Sequence, residues 1–225
     1  MTGLIGIRAA IVDLDGTMVH TAPDFLVAVN RMRADLGLAP TDIDTISLFV
    51  GKGTENLMRR VLALDYDAAR VEEHFEAALA SYSRHYVDIN GVHSSVYPGV
   101  REGLAAMREK GLRLACVTNK PIGFARPLLE KTGLAGHFEI LYGGDSLPRK
   151  KPDPYPLLKV CEDFGLLPAQ VVAIGDSSND AEAARAAGCR VLNVPYGYNH
   201  GEPIHNVDTD GIVSTLLEAA QLISV

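Results

Sequence analysis

The chain has 225 residues, 47% of them hydrophobic and none of them tryptophan, which is long enough for an α/β core plus a further unit and too apolar for a disordered chain. Its 21 Lys and Arg against 28 Asp and Glu leave a formal charge of -7. That balance argues against nucleic-acid or anionic-membrane partners and requires a local positive site for any anionic substrate. Cys116, Cys161 and Cys189 share no metal-ligand spacing and read as small buried hydrophobes in a reducing compartment. Arg8 interrupts the first apolar run, and no apolar stretch reaches the roughly 18 residues of a membrane span, so the expected location is the cytoplasm.

The run Ala9-Ala10-Ile11-Val12 has the composition of a strand buried on both faces, and it stops on Asp13-Leu14-Asp15-Gly16-Thr17. Two carboxylates where a strand runs out suit the ligand-binding edge of an open α/β sheet; the plain alternative is a pair of turn aspartates before a glycine. A helix is expected from Pro23-Asp24 through Phe25, Leu26, Val29, Met32 and Leu36, closed by Gly37. A second follows Gly53-Thr54 with Leu57, Met58, Val61 and Leu62, and a third runs from about Asp67 to Val87 through Val71, Phe75, Ala78, Leu79, Tyr82 and Tyr86. No strand is expected between 18 and 94, which makes residues 18–94 an all-helical insertion.

Val96-Tyr97-Pro98-Gly99 punctuates the chain, and beyond it helices and strands alternate. Helices are expected near 100–110, 122–132 (bent by Pro127), 154–164, 180–187 (closed by Gly188) and from Ser214. Strands are expected at 112–117, 138–142, 171–174 and 190–194. This alternation predicts an α/β fold with a doubly wound parallel sheet built from residues 1–17 and 95–225, with the helical unit inserted after the first strand and the reaction centre at the joint.

Three further polar segments fall where they gather on one sheet edge: Thr118-Asn119-Lys120, Lys150-Lys151-Pro152-Asp153-Pro154 and Gly175-Asp176-Ser177-Ser178-Asn179-Asp180. A hydroxyl, an ammonium and up to four carboxylates in one crevice need a neutralising partner, and a hard divalent cation, Mg2+ first, meets that need. D-x-D-G-T, a strand ending in Thr, K-P-x-P and G-D-x-x-x-D, in this order over essentially the whole chain, resemble the four motifs of the haloacid dehalogenase superfamily of phosphohydrolases, whose Rossmann-like core carries an inserted cap. Within it, Ala22-Pro23-Asp24, Val50-Gly51-Lys52-Gly53, Thr118-Asn119-Lys120 and Tyr196-Gly197-Tyr198-Asn199 resemble the phosphoglycolate phosphatases.

The resemblance implies that Asp13 is a nucleophile forming an aspartyl-phosphate, that Asp15 is the acid and base, and that Thr118 and Lys151 bind the transferring phosphoryl group. It also implies Mg2+ held by Asp13, the Asp15 carbonyl and Asp176, with Asp180 acting through water or behind the ligands. Gly16, Thr17, Asn119 and Lys52 are the expected substrate-binding positions, Lys52 or the glycine-flanked backbone around it reaching a substrate carboxylate. The substrate is a small phosphorylated metabolite, 2-phosphoglycolate on the narrower resemblance, handled by a monomer or homodimer. Alternatives remain at this level. Lys150 competes with Lys151, Thr118 and Asp180 are also ordinary helix-end residues, and Gly51-Lys52-Gly53 is also a plain turn before a helix. His20 stands where the family usually has an acidic residue, which puts the conformation of the segment after Thr17 in question. A β-phosphoglucomutase-type enzyme shares both aspartates. A dehalogenase has an aromatic residue in place of Asp15, and a phospho-accepting receiver module lacks the 18–94 insertion.

Overall fold

A computed structural model describes residues 3–225. The strands are β1 (Leu4–Ile5), β2 (Ala9–Val12), β3 (Val19–His20), β4 (Ser95–Val96), β5 (Arg113–Val117), β6 (Ile140–Tyr142), β7 (Val171–Gly175), β8 (Arg190–Asn193), β9 (Gly211–Ile212) and β10 (Ile223–Ser224). The helices are α1 (Ala22–Asp35), α2 (Ile43–Phe49), α3 (Thr54–Leu62), α4 (Ala68–Ile89), α5 (Val100–Glu109), α6 (Ile122–Lys131), α7 (Tyr155–Phe164), α8 (Ser178–Ala187) and α9 (Leu216–Leu222). Six strands form one parallel sheet in the order β6-β5-β2-β7-β8-β9. The chain leaves β2 first toward β5 and β6 and later toward β7 and β8, so the topological switch, where such folds bind ligands, lies at the C-terminal end of β2.

The sheet is apolar on both faces because its residues alternate between two cores. Ala10, Val12, Leu114, Cys116, Val172 and Ile174 belong to one cluster, while Ala9, Ile11, Ala115, Val117, Val171 and Ala173 belong to the other. Period-two alternation on strands covered by helices accounts for the near-continuous apolar runs in the sequence. A third cluster is made almost wholly by α1–α4, with Phe25, Val29, Met32, Met58, Val61 and Tyr82 among its members. All three cysteines are buried and unpaired. Among the described residues, no helix is long and apolar enough to cross a membrane.

Two expectations need correction. The stretch between 18 and 94 is not free of strand, since β3 pairs antiparallel with β4, Val19 opposite Val96 and His20 opposite Ser95. This two-residue ribbon joins the two crossings between sheet and helices, and it is too short to produce a sequence period. The helical stretch also contains α2, missing from the expected set; Ile46 is its buried residue, and Asp42 caps it by accepting from Thr45 N at 2.8 Å.

Asp24 ties the same region together. It lies in the first turn of α1, fully buried, and its carboxylate accepts from Gly91 N (2.7 Å), His93 N (2.6 Å) and the Ser94 hydroxyl. The returning chain is thereby held against the start of the first helix. Asp24→Ala is expected to lower unfolding free energy by about 2 kcal/mol, because it removes the buried acceptor of two amides and a hydroxyl. Urea denaturation measures it, and a loss below about 1 kcal/mol would show that the tie is not structural.

Candidate active site

Asp13 follows β2 directly, and its N–H donates to the Ile174 carbonyl (3.0 Å), which keeps it in register with the neighbouring strand. Asp176 follows β7, Asp180 lies in the first turn of α8, and Thr118 follows β5. One carboxylate oxygen each from Asp13, Asp176 and Asp180 lies within 4.8 Å of the others. Lys151 enters this acidic cluster. Its Nζ donates to Asp180 Oδ1 (2.6 Å) and to the Val117 carbonyl (2.8 Å), and it lies 3.0 Å from Asp13 Oδ1. Lys150 is exposed, and of the two lysines it is Lys151 that enters the cluster.

One ammonium faces three carboxylates in a buried place. Burial pushes the Asp13 carboxyl up to about 7, with Lys151 pulling it down and Asp180 pushing it further up. Burial, then the Asp180 and Asp13 charges, also hold Asp176 well above the usual carboxylate range. Burial alone would lower the Lys151 ammonium, but the two neighbouring carboxylates outweigh it and leave it raised. Asp13 Oδ1, though buried, has no hydrogen bond of good geometry. An acidic cluster with unspent acceptor capacity and only hard oxygen donors fits a divalent cation of the Mg2+ or Ca2+ type.

Asp15 meets different company. Its Oδ1 accepts from Lys120 Nζ at 3.1 Å, and Lys120 also donates to the Tyr86 hydroxyl at 2.6 Å. The Lys120 ammonium stands over the rings of Phe25 (4.3 Å) and Tyr86 (4.7 Å). Asp13, Asp15, Thr118, Asn119 and Lys120 line one wall of a cavity closed opposite by Phe25, Val50, Leu57 and Tyr86 from the helical side. A family model of haloacid dehalogenase-like hydrolases matches residues 7–188 of this chain.

The chain belongs to the haloacid dehalogenase-like hydrolases. A protein named phosphoglycolate phosphatase from Thiobacillus denitrificans is 48% identical over 97% of this chain and 96% of its own length. A second of that name, from Nitrosospira multiformis, is 48% identical over 96% of each. A crystal structure from Haemophilus somnus, described as a predicted phosphoglycolate phosphatase, superposes with a TM-score of 0.92 at 33% identity, covering 98% of this chain and 99% of that one.

In this haloacid dehalogenase-like hydrolase, the remaining expected site residues divide into those that reach the cavity and those that build it. Gly16 and Thr17 are not on its wall. Thr17 Oγ1 donates to Asp176 Oδ1 (2.7 Å), and Tyr198 N donates to Asp176 Oδ2 (2.5 Å). Gly16 has φ +86°, and a Cβ there would stand 2.2 Å from Asp176 Oδ2. The D-x-D-G-T motif therefore needs its glycine for left-handed backbone and for the close approach of Asp176, and its threonine to orient that carboxylate. Both oxygens of Asp180 are already engaged, Oδ1 by Lys151 and Oδ2 by Ser177 N (3.2 Å) and Ser177 Oγ (2.8 Å), so it acts at once in its helix's first turn and in the charge cluster.

Lys52 is exposed and absent from the cavity wall, whereas its neighbours Gly51 and Gly53 are on it. The structure thus brings the glycine-flanked backbone, and not the Lys52 side chain, to the cavity. The Gly51 carbonyl accepts two amides from the sheet side, Asn119 Nδ2 (3.0 Å) and Asn179 Nδ2 (3.2 Å). Asn119 also donates to the Lys151 carbonyl (2.9 Å), so its amide joins three segments. His20 Nδ1 pairs with Tyr198 Oη (2.7 Å), whose oxygen also accepts from Thr21 N and Ala22 N. The loop after β8 thus reaches both Asp176 and the start of α1, a role the sequence left unassigned.

Sequence reasoning missed Lys120, Tyr86, Phe25 and Phe124 as cavity residues. Lys120 stood in a quoted motif without a role, and the three aromatic residues satisfy the helical apolar period equally well as core. Asn179→Ala removes one of the two amides on the Gly51 carbonyl. Backbone amides of residues 50–54 are expected to exchange with solvent about 3- to 10-fold faster, as loss of one modest hydrogen bond requires; unchanged exchange would mean the contact does not hold the loop.

Proposed function

We propose that this hydrolase is a Mg2+-dependent phosphomonoesterase that converts 2-phosphoglycolate to glycolate and inorganic phosphate through an aspartyl-phosphate on Asp13. The observation that carries the reading is the division of labour across Leu14: Asp13 faces Lys151 and an acidic cluster, while Asp15 faces Lys120 and the cavity. The name shared by the relatives at 48% identity supports the choice of substrate.

In the first step an Asp13 carboxylate oxygen attacks phosphorus, the bond from phosphorus to the ester oxygen breaks, and Asp15 delivers its proton to that departing oxygen. In the second, water attacks the phosphorus of the aspartyl-phosphate and gives its proton to Asp15. The bond to Asp13 then breaks and phosphate leaves. Lys151 and the Thr118 hydroxyl bind the phosphoryl oxygens, and Lys151 also offsets the Asp13 charge so that two anions can meet. Mg2+, held by the Asp13 and Asp176 carboxylates and the Asp15 carbonyl, would neutralise phosphoryl charge when bound. Asp180 holds Lys151 in place from behind. Residues 18–94 serve as a cap over the core formed by residues 1–17 and 95–225, and the cap closes water out of the cavity.

Phosphate release from 2-phosphoglycolate, β-glucose 1-phosphate and phosphonoacetaldehyde tests the reading, with turnover expected to be highest on the first. Isomerisation of β-glucose 1-phosphate without phosphate release would instead indicate a mutase. Chelation with EDTA is expected to abolish turnover and Mg2+ to restore it; activity indifferent to both would exclude the proposed metal. Asp13→Asn is expected to lower kcat at least about 1000-fold while the thermal midpoint stays level or rises, because one of three mutually repelling carboxylates is gone. Residual turnover above a few per cent would rule Asp13 out as nucleophile.

A further inference from the structure

Lys120 is buried, 4% exposed, in a chain that has ample surface for lysines. Taking an ammonium out of water is costly unless it is paired, so its placement calls for a use. Its polar contacts go to two groups, the Asp15 carboxylate (Oδ1 at 3.1 Å, Oδ2 at 3.5 Å) and Tyr86 Oη at 2.6 Å, and an ammonium carries three donors. The rings of Phe25 and Tyr86 flank it, and Phe25, Val50, Leu57 and Phe124 leave the surrounding wall apolar. Among the residues lining the cavity, Lys120 carries the single positive charge. Lys52 does not reach that wall.

We infer that Lys120 is the specificity-determining residue of this cavity, and that it selects phosphate esters bearing a carboxylate on the carbon next to the ester oxygen. The inference rests on the phosphomonoesterase reading and deepens it. Asp15 has to touch the leaving oxygen to protonate it, and Lys120 Nζ is one hydrogen-bond length from Asp15. A carboxylate joined to the carbon bearing that oxygen is two covalent bonds away, which brings it to the ammonium's free donor. An alkyl group in the same place meets a charge that it cannot satisfy. The aromatic rings hold the lysine stem and exclude water, so the ammonium's attraction for the carboxylate is screened little. Tyr86, on α4, brings the helical side into the same recognition: its hydroxyl fixes the ammonium from across the cavity.

The rival is that Lys120 serves Asp15 alone and would then matter equally for every ester. The test compares kcat/KM on 2-phosphoglycolate and on ethyl phosphate, the ester that lacks the carboxylate. It uses the wild-type protein, Lys120→Met and Lys120→Arg. The wild type is expected to favour 2-phosphoglycolate by at least about 10- to 100-fold, the discrimination a charge-assisted hydrogen bond supplies. Lys120→Met is expected to lose most of that ratio, mainly through KM for 2-phosphoglycolate, and Lys120→Arg to recover part of it. Equal losses on both esters would overturn the inference and leave Lys120 a positioning residue for Asp15. A wild type that hydrolyses both esters equally would also overturn it while leaving the phosphomonoesterase reading intact, and this measurement does not depend on whether the variants fold. A wild type that releases phosphate from neither ester, nor from β-glucose 1-phosphate, would remove the phosphomonoesterase reading itself.

Discussion

The site depends on the accumulation of negative charge at the end of β2. Three carboxylates, those of Asp13, Asp176 and Asp180, are drawn together with one ammonium, that of Lys151, between them. Burial, with the neighbouring carboxylates adding to it, pushes the Asp13 and Asp176 carboxyls upward. The fold forces them together because the switch point brings the ends of β2 and β7 and the start of α8 to one place. Glycine at 16 and 197 lets the chain press onto Asp176 where any Cβ would collide with it. The same imbalance of charge suits the cation and phosphate binding proposed for this site.

Asp13 and Asp15 are two residues apart, yet they work against different backgrounds. Leu14 between them is fully buried in the sheet core, so it anchors the turn while the two carboxylates face separate partners. Lys151 meets Asp13, and Lys120 meets Asp15. Two ammonium groups thereby assign a charge environment to each aspartate. The helical side completes the second environment through Tyr86 and Phe25, while the Gly51 carbonyl, held by Asn119 and Asn179, closes the loop over the first. On the proposed assignment, substrate choice and chemistry would meet at neighbouring residues, with the core chemistry set by the sheet side and the ester accepted set with the help of the covering helices.

Much of this was legible before any coordinates. Five of the six strands of the main sheet declared themselves because a strand buried on both faces is mostly apolar, while β9, of two residues, did not, and most helices did because their apolar residues recur at helical spacing. The motif order was legible because three of the four motifs sit at a strand end, where polar residues stand out, and the fourth carries two prolines before α7. Short elements were not: α2 buries chiefly Ile46, and β3 with β4 is a ribbon of two residue pairs, so neither repeats often enough to show a period. Long-range pairings were equally hidden. Pro152 favours Lys151 over Lys150 without excluding the latter, and nothing local tells that Tyr86, with the spacing of a core residue, ends on the Lys120 ammonium 34 residues on. Lys52 illustrates the converse, because a lysine flanked by glycines looks functional in sequence while the structure brings its neighbours' backbone, and not its side chain, to the cavity.

The central claim is that Asp13 takes the phosphoryl group before water does. Two successive in-line displacements at phosphorus restore its original configuration, whereas one direct attack by water inverts it. The decisive measurement is the stereochemical course of hydrolysis of an isotopically chiral thiophosphate ester in isotope-labelled water. Overall retention at phosphorus is the predicted result; inversion would contradict a covalent intermediate on Asp13 and return the aspartate to a role in binding alone.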